Sequence, residues 1–281
     1  MRHQITLRVG PVGFRIGSDW HAPIATLDAL YRDYPRPEFA DYSVRLEAVS
    51  PWRRRVRPSV RVAGDYWLPD ASPLPLAQGV LAAEMGMNLQ VALGHRRHLL
   101  LHAAVVARGD RAILMSGVSG AGKSTLALML SRRGWRFLGD EFAMIDPDTG
   151  LTHPFPRPVS LKNESLSLIP EGYRTGPLLT GTPKGDVRHV APPAAAIAAM
   201  DEPARPALLV FPRFGFPSAL SGLAPTETFM RLTQASTNYV AMGEAGFRTL
   251  TRLRAQVPAV ALDYPDGEAG VAAIEALWEA L

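Results

Sequence analysis

The nine residues GVSGAGKST, Gly117 to Thr125, constrain this chain more than any other stretch. They follow the apolar run Ala112-Ile113-Leu114-Met115 and precede the helical pattern LALMLSRRG. Gly117-Val118-Ser119-Gly120-Ala121-Gly122-Lys123-Ser124 fits G-x-x-x-x-G-K-[ST], a loop whose glycines let successive N–H groups turn toward phosphate oxygens. Lys123 adds a charge for the β- and γ-phosphates, and Ser124 can ligate Mg²⁺. The N-terminus of the following helix favours the anion. The sequence therefore predicts a nucleotide-phosphate site over Gly117–Thr125. The motif alone does not separate hydrolysis, switching and transfer.

The surrounding periodicity predicts an α/β core behind a β-rich N-terminal region, with the boundary placed at residues 1–75 and 76–281. Ile5, Leu7 and Val9 alternate, as do Tyr42, Val44 and Leu46, then Val60 and Val62. From Ala77 to Gly94 the spacing of Leu81, Met85, Leu89 and Leu93, with Val80, Met87 and Val91 beside them, predicts a broad apolar helix. HLLLHAAVVARGDRAILMSG predicts two buried strands around a turn at Arg108-Gly109-Asp110, and WRFLGDEFAMID one strand. Residues 160–205, rich in Pro and Gly, predict ordered loops or a flap. ALLVFPRF and AVALDYP predict further strands; TETFMRLTQAS, AGFRTLTRLRAQ and EAGVAAIEALWEAL predict helices.

Phosphate chemistry needs an acid at a strand end, to hold a metal or position a nucleophile. Asp140 and Glu141 in FLGDE supply a pair, 17 positions after Lys123. That interval leaves room for one short helix, a turn and the very next strand. His102 opens the strand pair 21 positions before the lysine. In a hairpin it falls near the phosphate end, where an imidazole can orient a carboxylate. Taken alone, a single histidine in an apolar strand reads as a satisfied core histidine.

Together, GVSGAGKST…LSRRGWRFLGDEFAMI and the upstream histidine resemble the catalytic domain of HPr kinase/phosphorylase, over about residues 98 to 150. The resemblance implies a P-loop kinase core of the HPr kinase type. It also implies transfer of the γ-phosphoryl of ATP, with Mg²⁺, to a serine of a protein or small peptide. Carried over by position, Asp140 is the base, assisted by His102, and Lys123 with the loop N–H groups holds the β-phosphate. Ser124 and Glu141 surround the metal. The family usually carries two aspartates where this chain has Asp140-Glu141, and its downstream E-x-R-G-x-G run is absent. A divergent, HPr kinase-related member is expected rather than the sugar-regulatory enzyme, and a closed homo-oligomer is a further implication. A small-molecule kinase and a nucleotide-dependent ATPase switch stand as alternatives.

Composition narrows the rest. With no cysteine, disulfides, thiolate metal sites and cysteine nucleophiles are excluded. Net charge is +4, and no interleaved aromatic and basic pattern points to nucleic acid. No apolar run reaches the ~20 residues of a membrane helix, and MRHQITLRVGPVGF does not resemble a signal peptide, so a cytoplasmic protein is expected. Arg157, Lys162, Lys184, Arg188 and His189 lie in the Pro/Gly-rich stretches after the acids, where a cation could clamp phosphate or peptide; Lys184 is the best single candidate. Arg53, Arg54, Arg55, Arg57 and Arg61 predict a solvated edge strand, with Trp52 packed beside it and Met85 and Met87 in the core.

Overall fold

The computed structural model describes residues 2–68, 71–169 and 171–281. In chain order the elements are β1 (His3–Val9), β2 (Val12–Ser18), α1 (His21–Leu30), β3 (Tyr42–Ala48), β4 (Ser59–Gly64), β5 (Leu74–Pro75) and α2 (Gly79–Gly94). There follow β6 (Leu99–Arg108), β7 (Arg111–Ser116), α3 (Lys123–Arg132), β8 (Arg136–Gly139), β9 (Phe142–Ile145), β10 (Thr152–His153) and β11 (Val159–Lys162). The remainder is β12 (Leu179–Thr182), β13 (Gly185–Val190), α4 (Ala194–Ala198), β14 (Arg205–Phe214), β15 (Ala219–Gly222), α5 (Pro225–Ala235), α6 (Gly243–Gln256), β16 (Ala259–Tyr264) and α7 (Gly267–Glu279).

The chain divides into two compact units, neither continuous in sequence. One comprises Met1–His95 with Ser160–Ala191, the other Arg96–Val159 with Pro192–Leu281. Helix α2 and the 160–191 segment thus cluster with the N-terminal strands.

In the first unit, β1 to β5 form a sheet in sequence order. Ile5, Leu7 and Val9 alternate inward on β1 as their period demands, as do Val44 and Leu46 on β3. Helix α2 packs on β3 and β4 through Gly86, where a Cβ would stand 2.7 Å from Val44 Cγ1 and 2.9 Å from Val62 Cγ1. That contact turns the helix away from the expected stripe. Val80, Ala83, Met87 and Val91 are buried, while Met85 is 48 % exposed and Leu93 also faces solvent. Tyr31 at the end of α1 donates a hydrogen bond of 2.8 Å to the buried Glu84 carboxylate, satisfying a charge that burial would otherwise penalise. The arginine-rich stretch is not an edge strand: Trp52–Arg54 is a 3-10 turn, and Trp52 is 57 % exposed under the Arg53 guanidinium. Among the described residues of 160–191 lie strands β11-β13-β12 and no long helix.

The second unit is built on a mixed sheet ordered β10-β9-β6-β7-β14-β16-β15, with β8 also paired to β6. At its centre β14 runs parallel to both β7 and β16, an α/β arrangement. Alternate β6 residues, Leu99 to Ala107, join Leu232 of α5 and Leu250 and Leu253 of α6 in one core. Helices α3 and α7 pack together against β6 and β16.

WRFLGDEFAMID forms two strands rather than one. Both β8 and β9 pair antiparallel with β6; Val105↔Gly139 and His102↔Phe142 share one register, Asp140-Glu141 lie outside both strands, and the register shifts within β8, where Val106 meets Phe137. Just before the break, Gly139 admits the returning chain: a Cβ there would stand 2.7 Å from the Phe155 carbonyl oxygen.

Candidate functional site

Strand β7 ends at Ser116, and the glycine loop turns at the carboxyl end of the parallel strands, where open α/β sheets carry their ligands. Gly120 and Gly122 take φ of +85° and +86°, a left-handed backbone that the loop requires and side-chain-bearing residues disfavour. Helix α3 begins at once with Lys123, so Ser124 and Thr125 occupy its first turn. The Lys123 ammonium folds back over the loop, donating to the Gly117 carbonyl at 2.7 Å and the Val118 carbonyl at 3.1 Å, with its side chain buried. Val118, Ser119 and Gly120 at the loop crest are exposed.

The second half of the loop is braced from β16. The buried Tyr264 hydroxyl donates 2.8 Å to the Ala121 carbonyl, and burial pushes its pKa well above the usual phenol value. A Cβ on Gly122 would lie 1.9 Å from that hydroxyl, so this position excludes every side chain on two independent grounds.

Hydrogen bonding ties His102 to the same sheet end. Ser116 Oγ donates to the His102 carbonyl at 3.0 Å across the β6–β7 pair. The His102 Nδ1 lies 3.1 Å from the Glu141 carbonyl oxygen and 3.6 Å from Glu141 Oε1. A ring nitrogen facing a carbonyl oxygen must carry the proton, so in the neutral ring Nε2 keeps a lone pair. Asp140 and Glu141 leave the broken strand differently: Asp140 is 7 % exposed, whereas Glu141 is half-buried beside His102. On these distances Glu141 is one partner of the histidine.

Beside the loop opens a cleft of about 790 Å³, floored by Ser116, Gly117 and Pro212 and walled by α5 and β15. Its charges are internally paired. Arg213 makes a two-pronged contact with Asp263, at 2.9 and 2.5 Å, and Arg231 binds Glu227 one helical turn away at 2.7 Å. Sequence reasoning missed these residues, because Arg213 and Asp263 meet only through the β14–β16 register.

All predicted loop and acid residues, Gly117 to Thr125, His102, Asp140 and Glu141, belong to the second unit. Arg157 is there too, buried against the Phe155 ring. Lys162, Lys184, Arg188 and His189 belong to the first unit, with Lys184 exposed in the turn between β12 and β13. A separate cleft of about 460 Å³ in that unit is lined by Arg2, His3, Arg54 and Arg55.

No family model matches the chain, and no curated protein does. Among solved structures, the Hpr(Ser) kinase/phosphatase from Coxiella burnetii is similar at 15 % identity over 64 % of this chain and 93 % of that one, with a TM-score of 0.27. A likeness at that level carries no assignment, so the chemistry must rest on this chain's own residues.

Proposed function

We propose that this chain is an ATP-dependent serine kinase, transferring the γ-phosphoryl of ATP to a hydroxyl of a protein or small peptide. The observation that carries the reading is a convergence in one sheet. A G-x-x-x-x-G-K-S loop with left-handed glycines opens directly into a helix; on the neighbouring β6, His102 stands beside the end of β7, and β8 leads into the displaced acid pair. In this reading the N–H groups of Gly117–Thr125 and the Lys123 ammonium hold the phosphates. Lys123 trades its two carbonyl partners for phosphate oxygens, which keeps the charge paired throughout.

Asp140 takes the proton of the acceptor hydroxyl as its oxygen attacks the γ-phosphorus, and ADP leaves. His102, held by Glu141 at Nδ1, supplies the lone pair at Nε2 as a second proton site. The Ser124 hydroxyl and the Glu141 carboxylate are hard oxygen donors of the kind Mg²⁺ takes, and would hold it. Bound there, Mg²⁺ neutralises charge on the phosphate oxygens. Phosphoryl transfer asks little else of a protein than positioning and charge compensation.

The test is transfer of label from γ-labelled ATP with Mg²⁺ in a host lysate, comparing the protein with Asp140→Asn. Acid-stable label on a polypeptide that disappears with the variant supports the kinase. Label confined to a small molecule moves the acceptor class, and release of free phosphate alone leaves an ATPase.

A further inference from the structure

A second cluster of chemistry-bearing side chains lies in the same unit and is used by nothing above. The β9–β10 hairpin pairs Ile145 with Thr152 and Met144 with His153, so the residues flanking its turn, Asp146 and His153, stand close together. Asp146 commits one carboxylate oxygen to the turn, where Oδ1 accepts from the Asp148 N–H at 2.9 Å and the Thr149 N–H at 2.7 Å. Its other oxygen, Oδ2, faces His153 Nε2 at 4.0 Å, too far for a hydrogen bond. His98 completes the group from the start of β6, because Leu99 pairs with Ile145. The rings of His98 and His153 have centroids 4.8 Å apart.

The His98 backbone is held in place. Asn238, itself 2 % exposed, donates from Nδ2 to the His98 carbonyl at 2.9 Å and accepts from the Leu100 N–H at 2.9 Å. One ligand atom from each of His98, Asp146 and His153 lies within 4.8 Å of the others. Around a single ion at ~2.1 Å from each donor, ligand atoms sit ~3.4 Å apart, so rotamer shifts of about an ångström close the set.

We propose that His98, Asp146 and His153 form a binding site for one divalent transition-metal ion. Two imidazoles and one carboxylate are the donor set of zinc and its first-row neighbours. Mg²⁺ and Ca²⁺ take oxygen donors instead. Asp146 and His153 are half-buried, which leaves a side of the ion open to water. The ion joins the turn at 146–151 to the start of β6, a cross-link over 48 positions of sequence. His98 stands four positions before His102, ~13 Å along an extended chain, so this ion is separate from the phosphate chemistry.

The test uses full-length protein stripped by chelator and kept in excess Mg²⁺. Zn²⁺ is titrated calorimetrically and Co²⁺ by its visible absorption. The variants are His153→Gln and Asp146→Asn, of which the asparagine keeps the oxygen that the turn needs. His98 is left intact because its burial makes a variant prone to misfolding. One equivalent bound at micromolar Kd or tighter, weakened about 100-fold or more in each variant while circular dichroism is unchanged, supports the site. Binding no tighter than millimolar, or binding that both variants retain, overturns it; the His3–His21 pair would be the next holder to examine.

Discussion

Gly122→Ala perturbs the loop where its geometry is most sharply defined. Two costs add. An alanine at φ +86° pays ~1–2 kcal/mol for the left-handed backbone. Its Cβ would also sit 1.9 Å from the Tyr264 hydroxyl, which cannot swing away because the ring is buried. Overpacking of that kind costs ~1–3 kcal/mol, and the displaced hydroxyl loses its bond to Ala121 for ~1 kcal/mol more. The expected destabilisation is about 4 kcal/mol, a melting drop of ~10 °C for a unit of this size.

Tyr264→Phe separates the two costs. With the hydroxyl gone, the nearest neighbours of the new methyl are a ring carbon at 3.2 Å and Phe214 Cβ at 3.6 Å, so most of the overlap disappears. The same glycine substitution should then cost little more than the backbone term, ~1–2 kcal/mol, giving a coupling of about 2–3 kcal/mol in a double-mutant cycle. Urea unfolding followed by tryptophan fluorescence reads this, since Trp135 and Trp278 share the loop's unit. Equal costs in both backgrounds would refute the argument that the hydroxyl is the obstacle, and a cost below ~1 kcal/mol would refute the loop geometry itself.

Lys123→Ala removes the ammonium that bridges two loop carbonyls. Melting should fall slightly, and the stabilisation by Mg-ATP expected of the parent should vanish; an unchanged shift sinks the phosphate assignment. Tyr264 supplies a pH dependence. Its folded pKa is raised by burial, so its contribution is complete below the unfolded phenol value of ~10 and is lost as pH rises beyond it. Urea midpoints taken from about pH 8 to about pH 11 should fall more steeply in the parent than in Tyr264→Phe. Parallel curves would mean that the phenol is not shielded.

The loop and its flanking strand and helix were legible because motif and period coincide: the apolar run before Gly117 is β7, and Lys123 opens α3. The alternation of Ile5, Leu7 and Val9 was equally direct. The break at Asp140-Glu141 was not, because it shows only in how β8 and β9 share β6 as partner, a long-range pairing that no local pattern encodes. Helix α1 was hidden by its setting among strands and prolines, although Ile24, Leu27 and Leu30 keep helical spacing. The buried side of α2 was misjudged because Gly86, with no apolar side chain to signal, marks the packed face. The His98, Asp146 and His153 cluster was invisible for a related reason: strand pairing joins residues far apart in sequence.

The interleaving of the two units has a consequence for how such a chain can be cut, copied or made. Three covalent crossings join them, after His95, after Val159 and after Ala191. No single break releases either unit whole, so neither could be exchanged between genes as a contiguous cassette. During vectorial synthesis the first unit cannot be completed until residue 191 has emerged, by which point the glycine loop and both acids are already out. The interleaved order makes the two units a single heritable piece.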